Sequence, residues 1–307
     1  MSSVVLTTAN LTKIYQGTAA LRDVSVSLSA GRIYGLIGQN GAGKTTLMRL
    51  IAGLAQPTSG SLELFGHSGS QALQRERKRL GSLIEHPAIV PYMTAKENLR
   101  LHRIMRGIPE QAKEDELLEL TGLSDTGRKK AKHFSLGMKQ RLGIAIALLA
   151  SPELLILDEP VNGLDPLGIV DIRNLLKGLC EERQMSILIS SHNLPELYQT
   201  ATDYLIIHKG ELKQTLTHQQ LETNTRQHLR IGSGDPARLA SMLETELKTS
   251  NFRVMPDQTV YLYDYLDQQD RVVRLLHEHG IMATELTRGG DTLEDYFIAV
   301  IGGRDHV

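Results

Sequence analysis

One stretch of nine residues, Gly38-Gln-Asn-Gly-Ala-Gly-Lys-Thr-Thr46, limits what this chain can fold into more than any other. It fits the pattern G-x-x-x-x-G-K-[ST], with Gly38, Gly43, Lys44 and Thr45 at the fixed places. The apolar run Ile33–Gly38 precedes it. The segment LMRLIAGL follows, with Leu47, Leu50, Ile51 and Leu54 at the spacing of one helical face. A strand, a glycine-rich loop and a helix in that order let backbone N–H groups wrap a chain of phosphates, and the helix N-terminus adds a favourable field. Lys44 then reaches the β- and γ-phosphates and the Thr45 hydroxyl is placed for Mg²⁺. Gln39, Asn40, Gly41, Ala42 and Thr46 complete the loop. A ligand-free glycine turn is the alternative, and the strand before it and helix after it weigh against that.

A second pattern complements the first. The run Leu154–Leu157 reads as a buried strand that delivers Asp158 to its carboxyl end, where open α/β sheets bind ligands, and Glu159 follows. The pair reads as a Mg²⁺ carboxylate, Asp158, and an acid that polarises the attacking water, Glu159. Solvated strand ends look the same in isolation; beside a phosphate loop the catalytic reading gains. His192 ends a third apolar run, Ser186–Ser191, and is placed either to touch a phosphate and orient water or simply to close a strand. Ser135 reads as the N-cap of a helix with Met138, Leu142, Ala145, Ile146 and Leu149 on one face; its N-terminus suits an anion or just a capped core helix. Glu85, in Ser82-Leu-Ile-Glu-His-Pro87, is open to three readings: metal ligand, catalytic base or solvated strand end.

The strands named so far are apolar throughout, as expected of an α/β domain with helices on both faces of its sheet. From about residue 86 to 150 strand signals give way to helices, one of them opened by a capping box at Thr94 and Glu97. From residue 216 the pattern changes. Strand Gln227–Ile231, helix Pro236–Lys248, strands Phe252–Met255 and Thr259–Tyr263, helix Gln268–His279, strand Ala283–Arg288 and helix Leu293–Ile301 follow in turn. The order β-α-β-β-α-β is that of a ferredoxin-like split βαβ unit. The expected division is therefore 1–215 for the α/β domain and 216–307 for a small α+β domain.

Thirty-four basic and 35 acidic residues leave a formal net charge of −1, which provides no global field for nucleic acid or anionic lipid. The single cysteine, Cys180, excludes an internal disulfide and fits a reducing compartment. The N-terminus is too polar for a signal peptide, and Leu142–Ala150 is about half of the ~20 residues a spanning helix needs.

Taken in order, the phosphate loop, Phe134-Ser-Leu-Gly-Met-Lys-Gln-Arg141, Leu154–Pro160, Asn162-Gly-Leu-Asp165 and Ser190-Ser-His192 resemble the ATP-binding subunit of ABC transporters over roughly the first 215 residues. The resemblance implies a P-loop NTPase fold of the ABC type with a helical subdomain, and Mg²⁺-dependent ATP hydrolysis. It also implies a head-to-tail homodimer with two ATP molecules at the interface. In that arrangement Ser135, Leu136, Gly137 and Met138 contact the γ-phosphate bound by the partner copy, Tyr15 stacks on adenine, Asp165 links the two sites and His192 is the switch histidine. Two departures stand out. The family's usual Leu-Ser-Gly-Gly-Gln is Phe134-Ser-Leu-Gly-Met138 here, and Glu85 takes the place of a glutamine that normally reaches Mg²⁺ and the nucleophilic water. Both departures, with the C-terminal extension, resemble the bacitracin-resistance and lantibiotic-immunity branch of exporters. That branch implies separately encoded transmembrane permease subunits, no nucleic-acid partner, and a cytoplasmic location on the inner face of the membrane. Two alternatives are an ATPase for another drug or sodium exporter and a soluble ATP-switched protein. The second usually carries two ATP-binding domains or a long coiled-coil insertion, and this chain has neither.

Overall fold

The wholly apolar runs become the centre of the molecule. In the computed structural model, which describes residues 3–109, 113–290 and 292–302, the chain divides into two units between His218 and Gln219. The first begins with strands β1 (Val4–Tyr15) and β2 (Thr18–Ser29), then β3 (Ile33–Ile37), helix α1 (Lys44–Ala52), β4 (Ser59–Leu64), β5 (His67–Ser68), α2 (Ser70–Glu76) and β6 (Leu80–Leu83). Helices α3 (Ala95–Met105), α4 (Lys113–Leu120) and α5 (Leu136–Leu148) come next. They are followed by β7 (Leu154–Asp158), α6 (Pro166–Arg183), β8 (Ser186–Ser191), α7 (Leu194–Thr200), β9 (Asp203–His208) and β10 (Glu211–Thr217).

A six-stranded sheet has the order β10-β9-β3-β8-β7-β6, parallel except for the antiparallel edge pair β9–β10. Every residue of β3, β7 and β8 is buried, which is why these runs do not alternate. Register sets their ends level: Ile37 pairs with Ser191 and Asp158 with Ser190. The loops that follow these three strands therefore open at one edge. A second, antiparallel sheet has the order β2-β1-β4-β5. Val24-Ser-Val-Ser-Leu-Ser29 alternates apolar and polar residues and buries every apolar one, a period-two signal that marks a one-sided strand. One core joins the sheets: Leu6, Leu21 and Leu28 pack with Leu36, Leu188 and Ile51 of α1.

Helix α1 is shorter than its apolar spacing suggests. It stops at Gly53, whose left-handed φ of 79° closes the last turn and where a Cβ would meet the Arg77 guanidinium at 2.6 Å. Leu54 thus lies past the helix and is 67% exposed, while Leu47, Leu50 and Ile51 are buried as their spacing predicts. Among the described residues, α3 to α5 fill the interval between β6 and β7 with no strand. Thr94 and Glu97 form the reciprocal capping box of α3. From Leu142 onward α5 is buried on all sides, not along one face, so its hydrophobic pattern is broader than a stripe. Gly143 allows this: a Cβ there would sit 2.7 Å from Pro87.

In the second unit, α8 (His218–Thr225) leads into β11 (His228–Ser233), α9 (Pro236–Thr245), β12 (Phe252–Val254), β13 (Thr259–Leu262), α10 (Gln269–Glu278), β14 (Ala283–Gly289) and α11 (Leu293–Gly302). The sheet order is β12-β13-β11-β14 with all neighbours antiparallel, the ferredoxin-like arrangement. Leu229 and Ile231 alternate with polar residues and pack with Val260, Leu262, Leu239 of α9 and Val272 of α10 in a core of their own. Asp235 caps α9 and Pro236 occupies its first turn, as the sequence indicates; the helix ends at Thr245, three residues before Lys248.

Candidate active site

The loop after β3 is shaped by close approaches. A Cβ on Gly38 would lie 2.6 Å from the Ile207 carbonyl, and one on Gly43 2.7 Å from that of Ala20, with Gly43 also at φ 109°. The Ala42 N–H donates to the Gln39 carbonyl at 3.0 Å, so the loop turns back on itself before α1. No side chain caps α1, so its first-turn N–H groups face the loop available to an anion. Lys44 is 5% exposed; its Nζ donates to the Gly38 carbonyl at 2.7 Å and stands 3.5 Å from the Glu159 carboxylate.

Three strand ends supply the rest. Thr45 Oγ1 donates to Asp158 Oδ2 at 2.7 Å, and Ser190 Oγ donates to Asp158 Oδ1 at 2.5 Å. The same Ser190 oxygen accepts from the Glu159 N–H at 2.9 Å, tying both acids of β7 to the end of β8. Glu159, just past the end of β7, has a left-handed φ of 48°, a strained conformation for this residue type. Its Oε2 lies 2.9 Å from His192 Nδ1, and its other oxygen faces Lys44. Glu159 is thus held between an ammonium and an imidazole, beside a hydroxyl–carboxylate pair.

This set fits a nucleoside triphosphate with Mg²⁺. The uncapped helix end and Lys44 match phosphate oxygens, and Thr45 with Asp158 presents the hard oxygen donors Mg²⁺ takes. Gln39, Asn40, Gly41 and Thr46 belong to the same loop and helix start, with Gly41 at φ 79° and open space where a Cβ would stand. Tyr15 ends β1, is 42% exposed, and has Lys13 Nζ 4.8 Å from its ring centroid.

The remaining candidates lie elsewhere. Ser135 caps α5, accepting from the Met138 N–H at 3.2 Å. Leu136 and Gly137 neighbour Gly163 and Leu164, the turn that leads to α6. Asp165 is the N-cap of α6 and accepts from the Gly168 N–H at 3.1 Å. Glu85 is not gathered with Thr45 and Asp158: its carboxylate pairs with Arg49, one turn beyond Thr45 on α1, and its backbone is left-handed at φ 65°. Cys180 is buried in α6, and burial pushes its thiol up, away from thiolate chemistry.

Sequence reasoning quoted Ser190 in the Ser-Ser-His run without giving it a role and passed over Arg49. The first could have been found as a hydroxyl at the carboxyl end of an apolar run, level with Asp158. The second is the i+4 neighbour of a motif residue, but its partner is 36 positions away.

Residues 21–162 match the family described as ABC transporter. The chain is 40% identical over 301 residues to the bacitracin transport ATP-binding protein of Bacillus licheniformis, with 98% of each chain covered. It is 42% identical over 203 residues to the lantibiotic transport ATP-binding protein of Streptococcus pyogenes, covering 66% of this chain and 86% of that one. Among solved structures, the ATP-binding subunit of an ABC transporter superposes with a TM-score of 0.64 at 31% identity, over 71% of this chain and 92% of the other.

Proposed function

From the premise that the chain belongs to the ABC transporter ATP-binding family, we propose that it is the ATPase subunit of an exporter that clears a bacitracin- or lantibiotic-like peptide through separate membrane permease subunits. The observation that carries the catalytic reading is Glu159, held 3.5 Å from Lys44 and 2.9 Å from His192, next to the Thr45–Asp158 pair. ATP is bound by the loop Gly38–Thr46, with the first-turn N–H groups of α1 and Lys44 on its phosphates. Tyr15 offers an exposed ring for the adenine. Lys44 Nζ contacts the Gly38 and Gln39 carbonyls and stands 3.5 Å from Glu159, and phosphate oxygens can replace the carbonyls as acceptors.

Thr45 and Asp158 would hold Mg²⁺, which would supply charge neutralisation to the phosphates. Ser190 fixes the Asp158 carboxylate and the Glu159 backbone together, so the metal ligand and the base keep one geometry. Glu159 Oε2 accepts the proton of the attacking water, and His192, oriented by that carboxylate, faces the γ-phosphate. Ser135, Leu136, Gly137 and Met138 have Gly163 and Leu164 as neighbours within the chain. As the resemblance to the family implies, their role is toward the nucleotide of a second copy bound head to tail, with Asp165 at the junction. Among the described residues no helix is long and apolar enough to cross a membrane; attachment at the cytoplasmic face through the permease is the reading that follows from family membership.

Glu159→Gln tests the base. Hydrolysis should slow by roughly 10²–10⁴-fold while ATP still binds, and an ATP-bound dimer should accumulate on size-exclusion chromatography. Turnover at the wild-type rate would remove Glu159 from the mechanism.

A further inference from the structure

A cavity of about 20 Å³ is lined by Pro160 and Ser191, the chain neighbours of Glu159 and His192, with Ser190, Glu196 and Leu197, and by Arg173 from α6. Arg173 donates from Nη2 to Glu196 Oε2 at 3.2 Å, with the two side chains only 19% and 22% exposed. The buried Arg173 Nε has no protein acceptor, so this ion pair is how the guanidinium is anchored. A pair so shielded is unlike a surface salt bridge, because removing either partner leaves a charge with little water to take its place.

The pair joins α6 to α7, and α7 begins beside His192. Helix α6 starts at Asp165 and is tied to α5 through Arg141 and Asp171 at 3.4 Å. Helix α7 has only seven residues and starts at Asn193, the neighbour of His192, whose side chain accepts from the Glu196 N–H. On its other side α7 rests on β3, where a Cβ on Gly35 would come within 3.3 Å of Leu197. So short a helix has little rigidity of its own, and its direction is set by these outside contacts. The turn Ser191–His192–Asn193 goes wherever the first turn of α7 goes.

We propose that the Arg173–Glu196 ion pair is a positioning device for His192: it fixes the first turn of α7 against α6 and so sets the imidazole against the Glu159 carboxylate. The proposal rests on the catalytic reading of His192 given above. Neither Arg173 nor Glu196 touches nucleotide. Their effect passes through the histidine, so it falls on turnover and spares binding.

The test is a mutant cycle on the full-length protein, read by steady-state Mg-ATP hydrolysis with thermal melting alongside. Arg173→Met should lower kcat by ~10-fold, the scale of a small misplacement of a catalytic group, while KM for ATP stays at the wild-type value. Arg173→Lys, which keeps a single charged donor for Glu196, should recover part of that loss. Glu196→Gln, which keeps the volume and an acceptor, should lower kcat in the same direction and guards against an outcome caused by misfolding. In a His192→Ala background, Arg173→Met should add no further loss, because residues acting through one group are not additive. The same fractional loss in both backgrounds, or an unchanged kcat in Arg173→Met, overturns the proposal. A fully active His192→Ala protein overturns the reading of His192 itself, a result distinct from the other two.

Discussion

The six-stranded sheet of the first unit and the four-stranded sheet of the second are built from the same material, short apolar strands with helices packed on them, yet only the first gathers chemistry. Strand direction makes the difference. In the parallel sheet β3, β7 and β8 run the same way and end level, so Gly38, Glu159 and His192 follow three neighbouring strands at one edge. In the antiparallel sheet neighbouring strands end at opposite edges, and the polar residues that follow them are dispersed. There they satisfy one another locally: Asp264 accepts from Thr249 and from Asn251 Nδ2, and Asp257 accepts from Thr259 at 2.7 Å. In the first unit, Lys44 spends its ammonium on loop carbonyls and Glu159 is held strained, groups kept ready for something else.

The sharpest way to break this contrast is to remove the cation at the converging edge. Lys44→Ala should weaken nucleotide binding and hydrolysis by ~10²–10³-fold, the scale for losing one donor to developing phosphate charge. Titration with a fluorescent ATP analogue measures it directly. Wild-type affinity would mean that the strand ends converge without forming a phosphate site.

Glu85 tests the boundary of that edge. Its carboxylate occupies a slot that resemblance assigns to a neutral glutamine, but here it is bound by Arg49 of α1. We propose that it couples nucleotide state to the permease and that Glu159 remains the base. Glu85→Gln keeps the volume and loses the charge of a half-exposed pair, so basal ATPase should stay within about threefold. The Mg²⁺ concentration for half-maximal activity, or transport in membranes, should shift. A variant equal to wild type in both would make the carboxylate incidental.

What the sequence made legible follows the same division. Local patterns were readable: the phosphate loop, Asp158 and Glu159 after an apolar run, the Thr94–Glu97 capping box and the Asp235-Pro236 helix start are each set by neighbours within a few residues. The β-α-β-β-α-β order of the tail was readable too, helped by the Asp235-Pro236 helix start and by β11, where buried Leu229 and Ile231 alternate with half-buried His228 and Arg230. Hidden were features that depend on distant partners. Gly53 is a local stop signal for α1 that the apolar spacing through Leu54 overrode, but the packing of Arg77 against it could not be read locally. Ser190 acquires its role only because β7 and β8 pair in a register that puts it beside Asp158. The same limit hides Arg173, whose partner lies 23 residues away on another helix.

If the second unit does no chemistry, it can be removed. Truncation after His218 keeps the ring contact and hydrogen bond that His218 makes with Tyr204, and leaves the first unit's core complete. ATP hydrolysis by the truncated chain should remain within roughly twofold of the full-length rate, as for loss of a domain with its own separate core. A well-folded truncation that cannot bind ATP would show that residues after 218 belong to the site.

The smallest effect is expected from a change that touches the second unit alone. Asp235 Oδ1 accepts from the Arg238 N–H at 3.0 Å and caps α9, whose Leu239 and Leu243 enter that unit's core. Asp235→Ala removes the acceptor and leaves an exposed N–H to water, which should destabilise the helix by about 1 kcal/mol. For a domain of this size the unfolding transition should fall by about 4–8 °C, seen by calorimetry as movement of one of two transitions. The ATPase rate at 25 °C should not change, since no residue of the converging edge lies in this unit. A parallel loss of ATPase would mean that the antiparallel sheet, though it carries no chemistry, is required for the parallel one to work.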